Sequence, residues 1–460
     1  MQKPRPLHKR APITCFLFLW VALVGALLAV PAQAVPAFAR QTGENCVACH
    51  TAFPELTPFG REFKLNGYTW GERQALPLAL MMQGSLTQMA QSKDAGGRTL
   101  VPHLGDLQFD RLTAFAAGKI TDNVGGYTQW AYNNNQALGH DGGTVGHAGI
   151  HDFDLRAVKR LSLAGKDLVL GLNLNNNPTL QDVWNSTPVW RGMPFTGSNL
   201  PRSRPQGGLL LDGALGQKVV GLGAYAWWDR QWYGELSTYG SAVNHWRVLS
   251  TGVALDQMNR LHAYNNPYWR LAWNREWGAH SLMLGHFGMV ADKYPDPGTP
   301  HGATDRFTDL ALDAQYQYLS DPSIFSLAGS LGHERQNRRA SHASGEALHP
   351  VNHLQTLRLK ASYLYERTYG VSLAYSEVRG SADAGLYGKV RDSATGALVS
   401  DRPDTRSYIA EFDYNFNPQT RLIFQYTGFL KWNGATANID GRGRKPSDNN
   451  ILFMGLWFLF

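Results

Sequence analysis

Leu168-Val169-Leu170-Gly171-Leu172-Asn173-Leu174 is the stretch whose reading decides the fold. Its leucines occupy every second position, and Val, Gly and Asn fill the positions between them. A β-strand turns successive side chains to opposite faces, so this stretch presents one bulky apolar face and one small or polar face. The same period returns downstream. Arg358, Lys360 and Ser362 alternate with Leu357, Leu359, Ala361 and Tyr363. Ser407, Glu411, Asp413 and Asn415 alternate with Tyr408, Ala410, Phe412, Tyr414 and Phe416, and Arg421, Gln425 and Thr427 with Leu422, Phe424, Tyr426 and Leu430. A soluble sandwich also alternates, with its polar face outward. Here aromatic residues gather at strand ends, which predicts a transmembrane β-barrel with a lipid-facing exterior and a polar lumen.

Composition agrees with that prediction. The 460 residues include 48 Gly, 14 Trp, 19 Tyr and 20 Phe, but only 17% are charged. Past the N-terminus no apolar run approaches the length of about 20 residues that a membrane helix needs. The formal charge of +7 is mild, and no compact Lys/Arg cluster suggests nucleic acid.

Tight connections are expected at Thr121-Asp122-Asn123, Ala164-Gly165-Lys166, Gly216-Gln217-Lys218, Trp277-Gly278, Asp321-Pro322, Arg367-Thr368 and Asn417-Pro418. Long polar loops are expected near 91–103, 134–149, 177–206, 229–266, 291–304, 337–352, 381–404 and 433–448, with Trp246 to Leu255 a stretch that also has strand character. Short turns alternating with long loops are the pattern of periplasmic turns and extracellular loops, and this set needs about sixteen antiparallel strands. At the C-terminus, Leu452, Met454, Leu456, Phe458 and Phe460 alternate up to a terminal aromatic, resembling the insertion signal of outer-membrane barrels. Phe453, Trp457 and Leu459 make the other face of that strand apolar too, a departure from the usual pattern.

The N-terminus has a different grammar. Lys3, Arg5, Lys9 and Arg10 precede an apolar core from Ile13 to Val30, and Ala32-Gln33-Ala34 supplies a small-x-small cleavage site. Residues 1–34 therefore read as a secretory signal peptide, and Cys15 leaves with it. About 425 residues remain, enough for two or three ordinary domains by length alone. Residues 35–76 form a small helical unit ahead of the barrel at 77–460.

That unit opens on Cys46-Val47-Ala48-Cys49-His50, the C-x-x-C-H signature of c-type haem attachment. Two thiols one helical turn apart reach the two vinyl groups of one porphyrin, and the following His turns its imidazole onto the iron. A redox C-x-x-C, a structural disulfide and half a zinc site are the other readings. A tetrahedral zinc site wants four ligands, and no further Cys remains after cleavage. The expected cofactor is one covalent haem c. Pro54 should break the first helix. Thr57-Pro58 is an N-cap with Pro at the first helical position, and Asn66-Gly67 is a C-cap. Phe59 and Phe63 share a face of that helix, and Arg40, Arg61 and Lys64 are candidate partners for haem propionates.

His50 leaves the sixth iron position open to Met, His, water or nothing. No Met or His lies between Thr51 and Leu80, so the ligand must come from the barrel. In the first strand Leu78, Leu80, Met82 and Leu86 form the lipid face, and Met81, Gln83, Ser85, Thr87 and Met89 point inward. Met81 is the first candidate for the sixth ligand and Met89 the second. His140, His147, His151, His301, His342, His349 and His353 fall in expected loops or at strand ends, where a surface metal site or plain solvation would use them.

Phe38-Ala39-Arg40-Gln41-Thr42-Gly43, Cys46, Cys49, His50, Pro54, Phe59-Gly60-Arg61, Phe63-Lys64 and Gly67-Tyr68 resemble the fused cytochrome–porins of iron-oxidising bacteria. The match covers about a tenth of the chain. His50 to Pro54 is one residue shorter than the spacing associated with the iron oxidases. The resemblance implies a single haem in the mouth of an outer-membrane barrel of roughly sixteen strands. It also implies that ferrous iron, or another extracellular donor, passes an electron through the haem to periplasmic carrier proteins, an Fe(II):cytochrome c oxidoreductase activity. A solute-conducting porin whose haem unit is a plug or redox sensor, and a haem enzyme with an open sixth position, are the competing functions.

Overall fold

Among the described residues of the computed structural model, sixteen antiparallel strands close into one barrel in which each strand pairs with its sequence neighbours. The structure describes residues 36–51, 55–93, 97, 99, 104–137, 144–186, 207–253 and 260–460. The expected signal peptide and Pro54 lie outside them. The first strands are β1 (Leu78–Met89), β2 (Leu107–Lys119), β3 (Val124–Ala137), β4 (Thr144–Leu163), β5 (Lys166–Asn175), β6 (Val219–Trp228), β7 (Trp232–Ser241) and β8 (Asn266–Trp277). The rest are β9 (His280–Lys293), β10 (Asp305–Ser320), β11 (Ser323–Asn337), β12 (Val351–Tyr365), β13 (Tyr369–Gly380), β14 (Thr405–Asn417), β15 (Thr420–Lys431) and β16 (Ile451–Leu459). The barrel closes where β16 meets β1, from Met81 opposite Leu459 to Met89 opposite Ile451. Phe460 extends the seam: its N–H donates to the Leu80 carbonyl at 2.8 Å and its carbonyl accepts from Leu80 N–H at 2.6 Å.

The alternation decides which face is which. In β5, Leu170 and Leu172 are 41% and 58% exposed on the outer wall, whereas Val169 and Asn173 are 7% and 1% exposed inside. Leu78, Leu80 and Met82 face outward from β1, and Met81, Gln83, Ser85 and Thr87 are buried inward, as the pattern predicts; Leu86, expected on the lipid face, is covered, at 6% exposure. The outer leucines continue around the wall through Leu222, Leu236, Leu271, Leu284, Leu312, Leu331, Leu359 and Leu373. So wide an exposed apolar band requires lipid or another apolar covering. Trp232, Trp277, Tyr363, Tyr365 and Tyr369 stand exposed beside the short turns, forming an aromatic girdle at that end.

Two expected connections were misplaced, and the errors offset one another. Gly216-Gln217-Lys218 is no hairpin: it ends the connection between β5 and β6, whose described parts, 176–186 and 207–218, lie inward. Leu209, Leu210, Leu211 and Leu215 of that segment are buried in the lumen. The Leu210 N–H donates to Glu334 at 2.6 Å and the Leu211 N–H to Asp309 at 2.8 Å, so carboxylates of the barrel wall replace a strand partner. The actual hairpin turns at Asp229-Arg230-Gln231 and delivers β7, which the expected loop 229–266 had absorbed. Asp229 and Arg230 take left-handed φ of 54° and 57°, an arrangement usually announced by Gly or Asn and here carried without glycine. The described part of Trp246 to Leu255 holds a 3-10 turn at Arg247–Ser250, and no strand is formed there.

The N-terminal segment lies inside the lumen at the short-turn end. Arg61 donates to Gln315 and Gln317 on the inner face of β10 and to Ser281 on β9, at 3.2, 2.8 and 2.7 Å. The Tyr225 hydroxyl of β6 donates to the Leu65 carbonyl, and the Tyr68 hydroxyl donates to Asp154 of β4, both at 2.6 Å. Glu55 accepts from Ser326 of β11 at 2.7 Å and pairs with Lys360 of β12 at 2.8 Å. Contacts to inward residues of six strands can be made only from within the barrel.

Candidate functional site

The segment contains three helices: α1 (Ala37–Thr42), α2 (Cys46–Cys49) and α3 (Pro58–Leu65). Only one turn long, α2 is closed by the His50 N–H donating to the Cys46 carbonyl at 3.0 Å. The chain then reverses, and Leu56 bridges back to His50. Thr57 ties the two helices together. Its hydroxyl oxygen accepts from Gly60 N–H at 3.2 Å, capping α3 as the sequence predicts, while its O–H donates to the Ala48 carbonyl at 2.5 Å. Its own N–H donates to the Cys49 carbonyl at 2.9 Å. Backbone packs on backbone here: a Cβ added to Gly60 would sit 2.4 Å from the Cys49 oxygen. Glycine at 60 thus sets where the two cysteines stand relative to α3, and Arg61 beside it fixes α3 to the wall. Gly67 ends the helix at φ 67°, a left-handed value suited to glycine.

Beneath this unit lies a cavity of about 800 Å³, within the range of small-molecule and cofactor sites. Cys46, Cys49, His50 and Met81 all line it, so residues from the segment and from β1 meet around one space. Phe38, Phe63, Phe115 and Trp457 add aromatic wall, and Lys64, Arg111, Arg367 and Arg421 add cations. An apolar enclosure with paired thiols, an imidazole, a thioether and peripheral cations has the donor set that a covalently attached haem requires. Cys46 and Cys49 are unlinked and half-buried. Burial pushes both thiols up, Cys49 to about 12 with a further push from Cys46 and Glu44. A redox-active C-x-x-C works through a lowered thiol pKa, so this microenvironment is the opposite of what that reading needs.

Several expected partners are placed elsewhere. Met89 packs with Ile423, Phe429, Trp432, Ile451 and Phe453 in an apolar cluster towards the long loops, away from the cavity lining. Phe453 in that cluster, with Trp457 and Leu459 on the cavity wall, accounts for the apolar inner face of β16. Phe63 faces the cavity and lies edge-on to Phe38 at 5.0 Å, whereas Phe59 turns towards Trp70 at 5.8 Å. Arg61 is spent on the barrel wall, and Arg40 donates to the carbonyls of Leu76 and Leu78. Of the three expected propionate partners only Lys64 lines the cavity; burial pulls its ammonium down to about 8.

His151 was read only as a strand-end histidine. A bulge in β4 opposite Gln129 and Trp130 carries it into the cavity lining, with Asn133 within 3.1 Å of its Nε2. Arg111 and Arg421 were missed because a single arginine on an alternating strand looks like any other lumen residue, and Arg367 because it was read only as part of a tight turn. His140 lies outside the described residues. Among the described residues no group of three or more His, Cys, Asp or Glu side chains could hold a metal ion.

No protein-family model matches the chain, and no curated protein matches it. Among solved structures it is similar to outer-membrane expressed OmpT of Vibrio cholerae, at 10% identity over 83% of this chain and 97% of that one, with a TM-score of 0.43. It is also similar to OmpF of Salmonella typhi in complex with daunomycin, at 12% identity over 83% and 97%, TM-score 0.44. A third is the outer membrane channel DcaP of Acinetobacter baumannii, at 12% identity over 83% and 96%, TM-score 0.44.

Proposed function

We propose that this chain is an outer-membrane cytochrome–porin fusion. It takes electrons from an extracellular donor, with Fe(II) the leading candidate, and hands them to periplasmic carrier proteins. The observation that carries the reading is the convergence of Cys46, Cys49, His50 and Met81 on one cavity inside a barrel with an apolar exterior. Cys46 and Cys49 would hold the haem through thioethers, and His50 and Met81 would offer its iron an imidazole nitrogen and a thioether sulfur. His151 lines the same cavity from β4 and is the second choice to Met81. Lys64, Arg111 and Arg367 would face the propionates. When bound, the haem supplies a one-electron store that cycles between ferric and ferrous iron. The chain's part is to place that store at the short-turn end and to exclude bulk water with Phe38, Phe63 and Trp457.

The filling of the lumen favours a conduit over a solute channel. Leu210, Leu211, Leu215, Tyr239, Tyr268 and Phe287 form a buried apolar cluster inside the barrel, where an open pore would be wet and polar. Adding Fe(II) to the oxidised protein in liposomes and following the haem absorption bands tests the proposal. Prompt reduction is expected. Unchanged bands together with solute flux would replace the conduit with a porin carrying a haem-bearing plug, and carbon monoxide binding would point to an open iron and an enzyme.

A further inference from the structure

Away from the haem cavity, the outer wall carries a second feature that the electron-transfer reading does not use. A groove of about 530 Å³ runs across β9 to β13 on the face turned away from the lumen. Strand register sorts its residues into rows across the strands. One row reads His286, Leu312, Leu331, Leu357 and Glu377, with Arg406 next to Glu377 on β14. The row nearer the long loops reads Leu310, His333, Gln355 and Arg379, and the next holds Arg335 opposite His353. Leucines thus give way to Glu377 and Arg406 towards β14, and to His333, Arg379 and Arg335 towards the long loops.

The polar edge of the groove carries more cations than carboxylates. Arg335, Arg379 and Arg406 face Glu377, which Arg379 and Arg406 share at 2.7 and 3.0 Å, while the neighbouring Asp404 is paired with Lys431 at 2.8 Å. The His333 and His353 rings lie 5.4 Å apart with ring nitrogens at 3.4 Å and bring no carboxylate to this edge. Trp269 borders the groove and donates through Nε1 to His286 at 3.1 Å, as an interfacial aromatic does. Arginines on the outer wall cost energy in hydrocarbon and become favourable where an anion meets them.

We propose that this groove binds a phosphate-bearing lipid of the outer leaflet, its acyl chains on Leu310, Leu312 and Leu331 and its phosphate between Arg335, Arg379 and Arg406. The assignment rests on the reading that the long loops face the cell exterior. Charge and order both favour a lipid. The apolar-to-cationic sequence along the wall repeats the acyl-to-headgroup sequence of a leaflet. A second copy of the chain docked by a two-fold contact would set the same arginines against each other.

Native mass spectrometry of the haem-loaded barrel in non-ionic detergent tests the site, with diphosphorylated lipid A, dephosphorylated lipid A and inorganic phosphate as probes. The diphosphorylated lipid should bind at least about tenfold tighter than the dephosphorylated one, the equivalent of one charge-assisted hydrogen bond, and inorganic phosphate alone should not be retained. Arg379→Ala with Arg406→Ala should abolish that preference. Arg335→Ala, which stands clear of the shared carboxylate, should weaken it without disturbing the fold, and Glu377→Gln should strengthen it. Equal binding of the two lipids, an undiminished preference in the arginine variants, or a homo-oligomer that seals the groove would each overturn the proposal. The haem spectrum, read in the same samples, reports separately on the electron-transfer reading.

Discussion

On the β4 to β12 side of the lumen, inward side chains meet other groups of the same chain. Arg270 sits between Asp182 at 3.2 Å and Asp313 at 2.5 Å, with its guanidinium over Trp184 and Phe287. Arg156 pairs with Asp154 at 2.9 Å and donates to Gln181 at the same distance. On the opposite side, from β12 round to β4, the wall is built by the same alternation but encloses a cavity. A single strand pattern therefore produces both a packed half and an open half. What distinguishes them is the chain laid inside: α3 and the inward stretches 176–186 and 207–218 fill one half, and the Cys46–His50 turn faces the other. A closed barrel leaves its lumen unassigned until such segments occupy it.

The sharpest way to break this contrast is to remove the groups that give the open half its purpose. Cys46→Ala with Cys49→Ala should eliminate covalent haem, seen as loss of haem stain on a denaturing gel, while heat-modifiable migration shows a barrel that still folds. An unfolded product would mean that the open half, too, depends on its contents for stability. Next in size is the packed half. Arg270→Ala leaves Asp182 and Asp313 buried without their cation and should cost about 3–5 kcal/mol in denaturant unfolding, with the haem spectrum unaltered. Smaller again is the joint between the halves. Gly60→Ala should cost about 1–3 kcal/mol through overpacking against Cys49 and lower the yield of attached haem; a normal yield would show that the Cys46–Cys49 turn can shift freely. The smallest stability effect sharpens the comparison most. Met81→Leu and Met89→Leu each conserve volume and should cost less than about 1.5 kcal/mol. Only Met81→Leu should change the haem spectrum and lower the reduction potential, because a Met ligand raises it. Identical spectra for the two variants would pass the sixth position to His151.

Much of the wall was readable because a two-residue period leaves little freedom: Leu170 and Leu172 must go one way if Val169 and Asn173 go the other. The Cys46–His50 turn was readable as a motif because its spacing is local, and the structure brings Cys46, Cys49 and His50 to one cavity. The lumen was not. Leu209, Leu210 and Leu211 carry no period, and their burial depends on Glu334 and Asp309, which lie more than ninety residues away in sequence. The Asp229-Arg230 turn hid for a local reason, since neither residue advertises the left-handed backbone it adopts. His151 was hidden by a bulge: one extra residue in β4 changes which side chains face the cavity, and no residue type announces it.

The closing seam has a consequence for the order of events in assembly. Met81 stands on β1 and Trp457 on β16, so the cavity wall is drawn from both sides of the joint that Leu80 and Phe460 fasten. Until those two strands meet, the pocket has a slot down one side, and the segment bearing Cys46 and Cys49 can be laid in laterally. Once they meet, entry is confined to the ends. Zipping the seam is thus also the act that walls in whatever the cysteines carry.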